Sequence, residues 1–445
     1  MFRRDLQLGR PGRRTVLRVS ALAVGAALAL GACGGSGSDS GKTTVTFWNT
    51  NAGPSFTPLW QHIIAEFEKD NPNIDIEITD IPHAQVQQKI DTAIASDATP
   101  DVAQLNTSLV ASTAGQKALE PLDDRLSGSP LNGKLAPNFL TLVKGATADG
   151  KLYSLPYSGN VGVVWYRTDW FKEADLKLET WDDFYTAAER LTDPGKDRFG
   201  FTIRGGAGSI AQALEMVYGQ SGVTEFWTPD GRTTVNDPRN VAALTRLVGL
   251  FGKYTPKADV SNDYAKMVAQ FDGGTIGMMQ HNLGSYGDHT EALGGPDKVV
   301  GTTVPASPSG TRVIVSNPVT GMVVFRSSEH KDAAWKFAEF VASKESCSHW
   351  NENVGQIPVN TDSAAEPWVE ENPTLANATE TMADPATKIV QLPYYLPEFA
   401  AISKTDTEPL FQKVLLGDMT PKAFLDEMAG MFNEAQAGFE ERQGD

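Results

Sequence analysis

Strand-like and helix-like segments alternate from residue 45 onward, and this alternation most limits what the chain can fold into. A short apolar run at 45–48 precedes an amphipathic segment at 57–70, and residues 74–79 then alternate between isoleucine and polar side chains. A second helical pattern at 86–94 leads to a buried-strand pattern at 102–105. This order predicts an α/β fold with a mostly parallel sheet covered by helices.

Polar and aromatic side chains stand where these predicted strands end. Trp48 and Asn49 close the first strand, and Gln104 and Asn106 close the third. Ligands of such sheets bind outside the carboxyl ends of the strands. We therefore predict that these four residues contribute to a binding site, with core packing as the alternative for Trp48.

The middle of the chain repeats the strand-and-helix pattern, with strands expected near 161–166, 199–203 and 276–280. Further strands are expected at 312–315 and 321–325. About 410 residues remain after an N-terminal signal, more than a single core accommodates, so we expect two lobes.

The N-terminal segment has the features of an export signal that ends at Cys33. Six arginines precede an apolar core at 19–32 that is too short to span a bilayer as a helix. Residues 30–33 read LGAC and resemble a bacterial lipobox, which implies a diacylglyceryl group on Cys33 and a lipid-anchored protein. Arg13 and Arg14 fit a twin-arginine signal, or simply an arginine-rich signal head. We predict a signal peptide at 1–32 and a flexible tether at 33–42.

The charge of the chain argues against a nucleic-acid partner, and its cysteine content argues against an intramolecular disulfide. Removal of residues 1–32 takes away six arginines and one aspartate, which leaves 32 basic against 54 acidic residues and a formal charge of −22. Such an acidic body repels nucleic acid, so none is expected as a partner. With Cys33 acylated, Cys347 has no cysteine to pair with, and we expect a small, partly buried thiol.

Several segments in order resemble the extracellular solute-binding proteins of ABC importers, in particular their large maltose-binding-protein-like carbohydrate-binding group. The best matches are DGKLYSLPY at 149–157 and FDGGTIGMM at 271–279. Further matches lie at 45–49, 67–74, 165–171, 180–184, 330–337 and 355–359. Each of these segments is too variable to identify the family alone, and the resemblance depends on their order and spacing.

The resemblance implies a two-lobe, type II periplasmic-binding-protein-like α/β fold with discontinuous lobes joined by crossover hinge strands. It places lobe 1 at 43–158 plus 276–320 and lobe 2 at 159–275 plus 321–445, with crossings near 158–161, 271–276 and 317–322. A monomer would close around an uncharged, hydroxyl-rich carbohydrate, an oligosaccharide rather than a single sugar, and deliver it to the permease subunits of an ABC transporter at the outer face of the cell membrane.

The resemblance also adds candidate ligand-binding residues to the four at the strand ends. A sugar site needs aromatic rings beside amide and charged groups. The region after the later crossing lacks the tryptophan that relatives place there. Either Tyr286 substitutes for it, or Gln280 and Asn282 make the cleft more polar and suit a smaller ligand. The added candidates are Tyr157, Asn160, Arg204, Gln280, Asn282, Tyr286, Tyr394 and Tyr395. Core packing is the alternative for Tyr157, and a plain loop is the alternative for Arg204 and its glycines.

Other functions are weighed against transport. Asp182 and Asp183 could pose as a catalytic pair, but Thr180 predicts a helix cap with Asp183 instead. His281 and His289 have no metal-binding or nucleophile signature around them and are expected to be hydrogen-bonding groups at the surface or in the cleft. We expect no enzyme activity, metal or cofactor. A polyol or glycerol-phosphodiester ligand, a secreted carbohydrate-active enzyme and a non-transport sensor or adhesin remain as alternatives.

Overall fold

The structure, a computed structural model, describes residues 41–51, 53, 56–82 and 85–444. The predicted signal peptide, Cys33 and nearly all of the tether lie outside the described residues. Residues Lys42–Asp445 form one compact unit.

Twelve strands are described, and the sequence predicted eight of them but not β4, β8, β11 and β12. Their bounds are β1 Thr43–Asn49, β2 Ile74–Asp80, β3 Val102–Asn106, β4 Leu155–Gly159, β5 Gly162–Arg167, β6 Phe199–Thr202, β7 Ile276–Asn282, β8 Val299–Thr303, β9 Val313–Val315, β10 Thr320–Val324, β11 Ile357–Pro358 and β12 Lys388–Val390.

The strands form two principal sheets, one for each lobe. The six-stranded sheet of lobe 1 has the order β11-β4-β10-β3-β1-β2, and the four-stranded sheet of lobe 2 has the order β6-β7-β5-β8. In lobe 1, β1 is parallel to β2 and β3, whereas β10 runs antiparallel to β3 and β4. In lobe 2, β6 is parallel to β7, and β5 is antiparallel to β7 and β8. Strands β9 and β12 pair separately.

Helices cover the sheets and form the C-terminal part of the chain. Their bounds are α1 Thr57–Asp70, α2 Val86–Ala95, α3 Thr107–Gly115, α4 Asp123–Ser127, α5 Pro137–Gly145, α6 Thr168–Glu173, α7 Trp181–Arg190, α8 Ser209–Ser221, α9 Pro238–Val248, α10 Tyr264–Asp272, α11 Tyr286–Leu293, α12 Lys331–Val341, α13 Lys344–Val354, α14 Thr361–Ala364, α15 Pro367–Glu370, α16 Pro373–Ala383, α17 Glu408–Leu416 and α18 Pro421–Gly444. No helix of the described part is long and apolar enough to cross a membrane.

Local capping explains where α7 begins. The Thr180 hydroxyl accepts a hydrogen bond from the Asp183 amide at 3.1 Å, and the Asp183 carboxylate accepts one from the Thr180 amide at 2.9 Å. This reciprocal pair is the predicted capping box. At α1 the cap position is Phe56, which makes no side-chain cap, and the Thr57 hydroxyl donates to Asp80 at 3.1 Å.

The strand pairing corrects the expected division of the lobes. Strands β7 and β8 lie in the sheet of lobe 2 and not in lobe 1, whereas β10 and β11 lie in the sheet of lobe 1. Segment 276–303 therefore belongs to lobe 2 and segment 320–358 to lobe 1. The sequence predicted β7 and β10 as strands but not β8 and β11, and which strand each one pairs with depends on contacts far apart in sequence.

The chain passes between the two lobes at three places. Two residues separate β4 from β5, and four separate β9 from β10, as the resemblance implied for these two crossings. The expected crossing at 271–276 is wrong, because α10 and β7 both belong to lobe 2. The third passage lies instead between α14, which contacts β11, and α16, which contacts β8.

Candidate functional site

The sheet topology brings one edge of each lobe to the connections between them. Strands β1, β2, β3 and β4 all end at one edge of the lobe 1 sheet, where β10 begins. Strands β6, β7 and β8 end at the edge of the lobe 2 sheet where β5 begins. Because β5 begins three residues after β4 ends, these two edges adjoin at the connection. The predicted residues at strand ends thus share one region, as the rule for α/β sheets requires.

The polar groups of lobe 1 at this edge largely bind one another. The Asn49 amide is fully buried and donates to Asp80 Oδ1 at 2.7 Å. Asn106 caps α3 by accepting a hydrogen bond from the Leu109 amide at 3.1 Å. The Gln104 side chain is buried, and its Oε1 atom has no hydrogen-bond partner among the described residues.

The two predicted aromatics of lobe 1 differ in their surroundings. Trp48 is half-buried, and the Lys89 ammonium lies 4.8 Å from its ring centroid. Tyr157 is fully buried, with its ring edge-on to Trp60 at 6.0 Å and to Trp350 at 5.7 Å. Burial raises the pKa of Tyr157 well above its ordinary value. Tyr157 therefore packs in the core, which is the alternative that the sequence left open.

Asn160 and Asn282 organise the junction between the lobes. Asn160 Oδ1 accepts hydrogen bonds from the amides of Val161 and Leu283, both at 3.0 Å. Asn282 Oδ1 accepts one from the Gly284 amide at 3.0 Å and so shapes the turn after β7. Gln280, two residues earlier, is almost fully buried. These amides fix the backbone of the first connection against lobe 2.

The glycine tract after β6 packs against the chain itself. Gly205 donates to the Asp259 carbonyl at 3.0 Å, and a Cβ atom there would lie 2.4 Å from that oxygen. The Gly208 amide donates to the Glu408 carboxylate, and Arg204 Nε donates to the Ala207 carbonyl at 2.5 Å. Close packing within the chain therefore explains why glycines stand here. It favours a structural loop, the alternative to a binding role for Arg204 and its glycines.

Aromatic and histidine side chains fill the space beside the end of β7. Tyr286 is half-buried and stacks on Trp165 with the centroids 6.1 Å apart. Burial, the Arg204 cation and His289 lower the pKa of His281 to about 3, so its imidazole is neutral. His289 is fully buried, and its Nδ1 atom lies 2.7 Å from Asp272 Oδ1. Both histidines make hydrogen bonds, as expected, but His289 is fully buried and does not lie at the surface or in a cleft.

A cleft of about 1170 Å³ lies between α3 of lobe 1 and the C-terminal part of lobe 2. We call it the α3 groove. Its α3 wall presents small and polar side chains, namely Asn106, Ser108, Ala111, Ser112 and Gly115. Its opposite wall is aromatic and consists of Tyr394, Tyr395, Phe399 and Phe439. The groove is thus amphipathic and contacts both lobes.

Three predicted residues line the α3 groove, and the side chain of each makes a hydrogen bond. The Tyr394 hydroxyl donates to the Ser316 carbonyl at 2.8 Å, and the Tyr395 hydroxyl donates to Gln436 at 2.8 Å. Asn106 lies at the inner end of the groove. The other nine are not among its lining residues: Trp48, Asn49, Gln104, Tyr157, Asn160, Arg204, Gln280, Asn282 and Tyr286.

Sequence reasoning missed much of the groove and one buried acid. Most groove-lining residues of α3 are small, which gives no binding signal, and Phe439 lies in a tail that reads as helix. The acid is Glu215, whose carboxylate accepts a hydrogen bond from Asn317 Nδ2 at 3.1 Å. Its only signal was a lone carboxylate within the apolar run of α8.

The side chains that could indicate catalysis have structural roles instead. Asp183 belongs to the capping box, and Asp182 is paired with Arg246 at 2.7 Å. Within the described residues, no group of three or more histidine, cysteine or acidic side chains could hold a metal ion. Cys347 is buried, and its thiol donates to the Tyr157 carbonyl at 3.0 Å.

Comparisons with known proteins agree with this architecture. The family model described as bacterial extracellular solute-binding protein matches residues 53–346. A binding protein of Brucella abortus is 25% identical over 402 residues, which is 88% of this chain and 93% of that protein. The mannitol-binding protein of Pseudomonas aeruginosa is 24% identical over 386 residues, which is 81% and 86% of the two chains.

Solved structures have the same fold. The sugar-binding protein MalE from Xanthomonas citri superposes with a TM-score of 0.76 at 20% identity, covering 91% of this chain and 100% of that one.

Proposed function

Since the chain belongs to the bacterial extracellular solute-binding protein family, we propose that it captures a carbohydrate between its lobes and delivers it to an ABC import permease. The observation that carries this proposal is the α3 groove, because its two walls come from different lobes. A ligand that contacts both walls binds the closed form better than the open form, and so shifts the population toward closure.

The chemistry of the two walls suits sugar rings. Aromatic faces pack against the C–H faces of a sugar, and amide and hydroxyl groups bind its hydroxyls. Tyr395 and Phe399 offer rings on one side, and Ser108, Ser112 and Gln116 offer polar groups on the other. The groove volume of about 1170 Å³ exceeds the range of roughly 300–1,000 Å³ that is usual for small-molecule sites, which favours an oligosaccharide over a single sugar.

The proposed activity is binding without turnover. The carboxylates that could pose as a catalytic pair are occupied by the α7 cap and by Arg246. Retaining glycosidases need two carboxyl groups about 5 Å apart beside the scissile bond. Asp91 and Asp149, which line the groove, both accept hydrogen bonds from neighbouring side chains.

We further infer that the mature protein is a monomer anchored at the outer face of the membrane by a lipid on Cys33. The support is the LGAC sequence at 30–33 after a basic and apolar signal segment, with Arg13 and Arg14 as the mark of twin-arginine export. The permease would then contact the outer rims of both lobes, which approach each other only in the closed form.

A polyol is the second candidate ligand. The observation that favours it is the similarity to the mannitol-binding protein over most of both chains. A polyol carries hydroxyls without a ring face, so it would depend on the amide groups of the groove more than on its aromatic wall.

A thermal-shift screen of the mature protein with neutral and anionic mono-, di- and oligosaccharides and with polyols tests the proposal. A ligand at 100 times its Kd stabilises the native state by about 2.7 kcal/mol, so a true ligand raises Tm by several degrees. Product analysis of the same mixtures should recover every saccharide intact. No shift with any compound, or the appearance of a hydrolysis product, would contradict the proposal.

A further inference from the structure

The ionisable residues of the α3 groove reverse the charge balance of the chain. The whole chain has 38 basic and 55 acidic residues. The groove is lined by four cations and two carboxylates, namely Lys117, Arg326, Lys404, Arg442, Asp91 and Asp149. A cleft lined mainly by one sign of charge concentrates the potential and attracts ligands of the opposite sign.

The two carboxylates of the groove are already engaged. Asp91 Oδ1 accepts hydrogen bonds from the amides of Gln87 and Gln116, both at 2.9 Å. Asp149 Oδ2 accepts the Tyr153 hydroxyl at 2.9 Å and lies 3.6 Å from the Lys151 ammonium.

Three of the four cations lack such a partner. Arg442 is paired with Glu398 at 3.2 Å. Among the described residues, no carboxylate lies within 4.0 Å of Lys117, Arg326 or Lys404. All three side chains are exposed to the groove. The groove therefore holds positive charge that its own residues leave uncompensated.

The uncompensated cations of lobe 1 lie at the outer end of the groove. Helix α3 begins next to Asn106 at the sheet edge and ends just before Lys117, about 15 Å away at 1.5 Å per residue. Arg326 lies beside Lys117, because its amide donates to the Ala118 carbonyl at 2.8 Å and its guanidinium to the Leu119 carbonyl at 3.3 Å. Lys404 lines the groove from lobe 2.

We propose that the ligand is an oligosaccharide that carries an anionic group, a carboxylate or a phosphate ester. Its rings lie along the aromatic wall, and its anionic group lies at the outer end between Lys117, Arg326 and Lys404. This inference depends on the proposed function and narrows its ligand class. It also replaces the uncharged ligand expected from the resemblance.

Calorimetric titration of the mature protein with matched ligands tests the inference. The neutral arm uses maltotriose, cellotriose and mannotriose, the carboxylate arm trigalacturonate and trimannuronate, and the phosphate arm maltotriose phosphate and glucose 6-phosphate. We expect at least one anionic compound to bind tenfold or more tightly than every neutral one. Whether the tightest ligand belongs to the carboxylate arm or to the phosphate arm identifies the anionic group.

The variant K117Q/K404Q removes two of the three free cations and keeps similar side-chain length. Its affinity for the anionic ligand should fall roughly tenfold, as expected for the loss of two exposed ion pairs. Raising the ionic strength should weaken wild-type binding in the same direction. The control K336Q/K413Q makes the same charge change at two exposed lysines outside the groove and should leave affinity unchanged.

Tighter binding of a neutral saccharide, unaffected by K117Q/K404Q, would overturn the inference and leave the proposed function intact. Equal losses in K117Q/K404Q and K336Q/K413Q would also overturn it, since a general charge effect would then explain them. Binding of none of these compounds would count against the proposed function as well.

Discussion

At the scale of single residues, Glu215 is a buried acid at the junction of the two lobes. It lies on α8, and its carboxylate is enclosed by Asn317 from one connection between the lobes and Gly162 from the end of another. A Cβ atom at Gly162 would lie 2.6 Å from the carboxyl carbon, and Glu215 Oε1 has no partner among the described residues. Burial raises the pKa of Glu215 to about 8, although hydrogen bonds from Val315 and Asn317 act in the opposite direction.

We expect Glu215 to make stability decrease as the pH rises. The folded protein favours the protonated acid, so this contribution is complete below the unfolded pKa of about 4.5 and is lost as the pH rises through about 8. The variant E215Q resembles the protonated form. Its Tm should therefore exceed that of wild type above pH 8, and the two should converge near pH 4.5.

Thermal unfolding at intervals from pH 4.5 to 9 measures this difference. The control E434Q changes an exposed glutamate on α18 and should follow the wild-type profile. If E215Q also follows the wild-type profile, Glu215 is not held in its protonated form.

Tyr395 provides a test of the aromatic wall. Its hydroxyl is bound to Gln436, and its ring packs beside Phe439 at 5.1 Å. Tyr395→Ala removes the ring and should weaken binding of the carbohydrate identified by the thermal-shift screen about tenfold, whereas Tyr395→Phe keeps the ring and should stay within a factor of three. Calorimetry measures the affinities of both variants. Equal affinities for Tyr395→Ala and wild type would show that the Tyr395 ring does not contact the ligand.

The sequence predicted residues at strand ends better than residues that line the groove. Asn49 and Asn106 could be located because strand patterns in the sequence mark where strands end, whereas Asn282 was implied by the resemblance. Gly205 was ambiguous, because close approach of a ligand and of the chain's own backbone both require glycine. Phe439 was not recognised, because a phenylalanine on a helix face gives the same pattern whether it meets the core or a cleft.

At the scale of secondary-structure elements, local chemistry decided where helices begin, and long-range pairing decided where strands lie. The α7 capping box is contained within four residues, so the sequence was sufficient to predict it. The partners of β7 are β5 and β6, which lie more than 70 residues away, and nothing in residues 276–282 specifies them. The lobe boundaries were therefore wrong although the strands were right.

The capping box gives a stability prediction for one element. Thr180→Ala leaves the Asp183 amide without its side-chain acceptor and should lower the free energy of unfolding by about 1 kcal/mol. Denaturant titration measures it at constant m-value.

The matched control for the cap is Thr245→Ala within α9. Its hydroxyl donates to the Val241 carbonyl in the preceding turn, and alanine is a better helix former, so this change should be neutral or slightly stabilising. Equal destabilisation by both substitutions would mean that the cap contributes nothing of its own.

At the scale of the whole molecule, the proposed function requires the lobes of the 42–445 body to approach each other when the ligand binds. The connections at 160–161 and 316–319 are short, and the Asn160 and Glu215 contacts attach them to lobe 2. We expect closure as a rotation about these connections with each sheet intact.

Small-angle scattering with and without the ligand from the thermal-shift screen measures this closure. The radius of gyration should fall when the ligand is added. An unchanged radius at a saturating ligand concentration would contradict closure of the two lobes.

The proposed anchor gives a separate prediction for the intact protein. Cys33→Ala removes the thiol that would carry the lipid, so the protein should move from the membrane fraction to the soluble exported fraction. Cys347→Ala is the matched control, because that thiol lies in the core of lobe 1. Retention of the Cys33→Ala protein in the membrane fraction would contradict the anchor.

The three passages of the chain also determine what a protease could do to this molecule. Three connections join the two lobes, at residues 160–161, 316–319 and 365–372. If a protease cuts one connection, the other two still hold the lobes together. Neither body corresponds to one continuous stretch of the gene, so neither could be produced alone by simple truncation. Cleavage of one connection would instead change how easily the lobes rotate relative to each other without separating them.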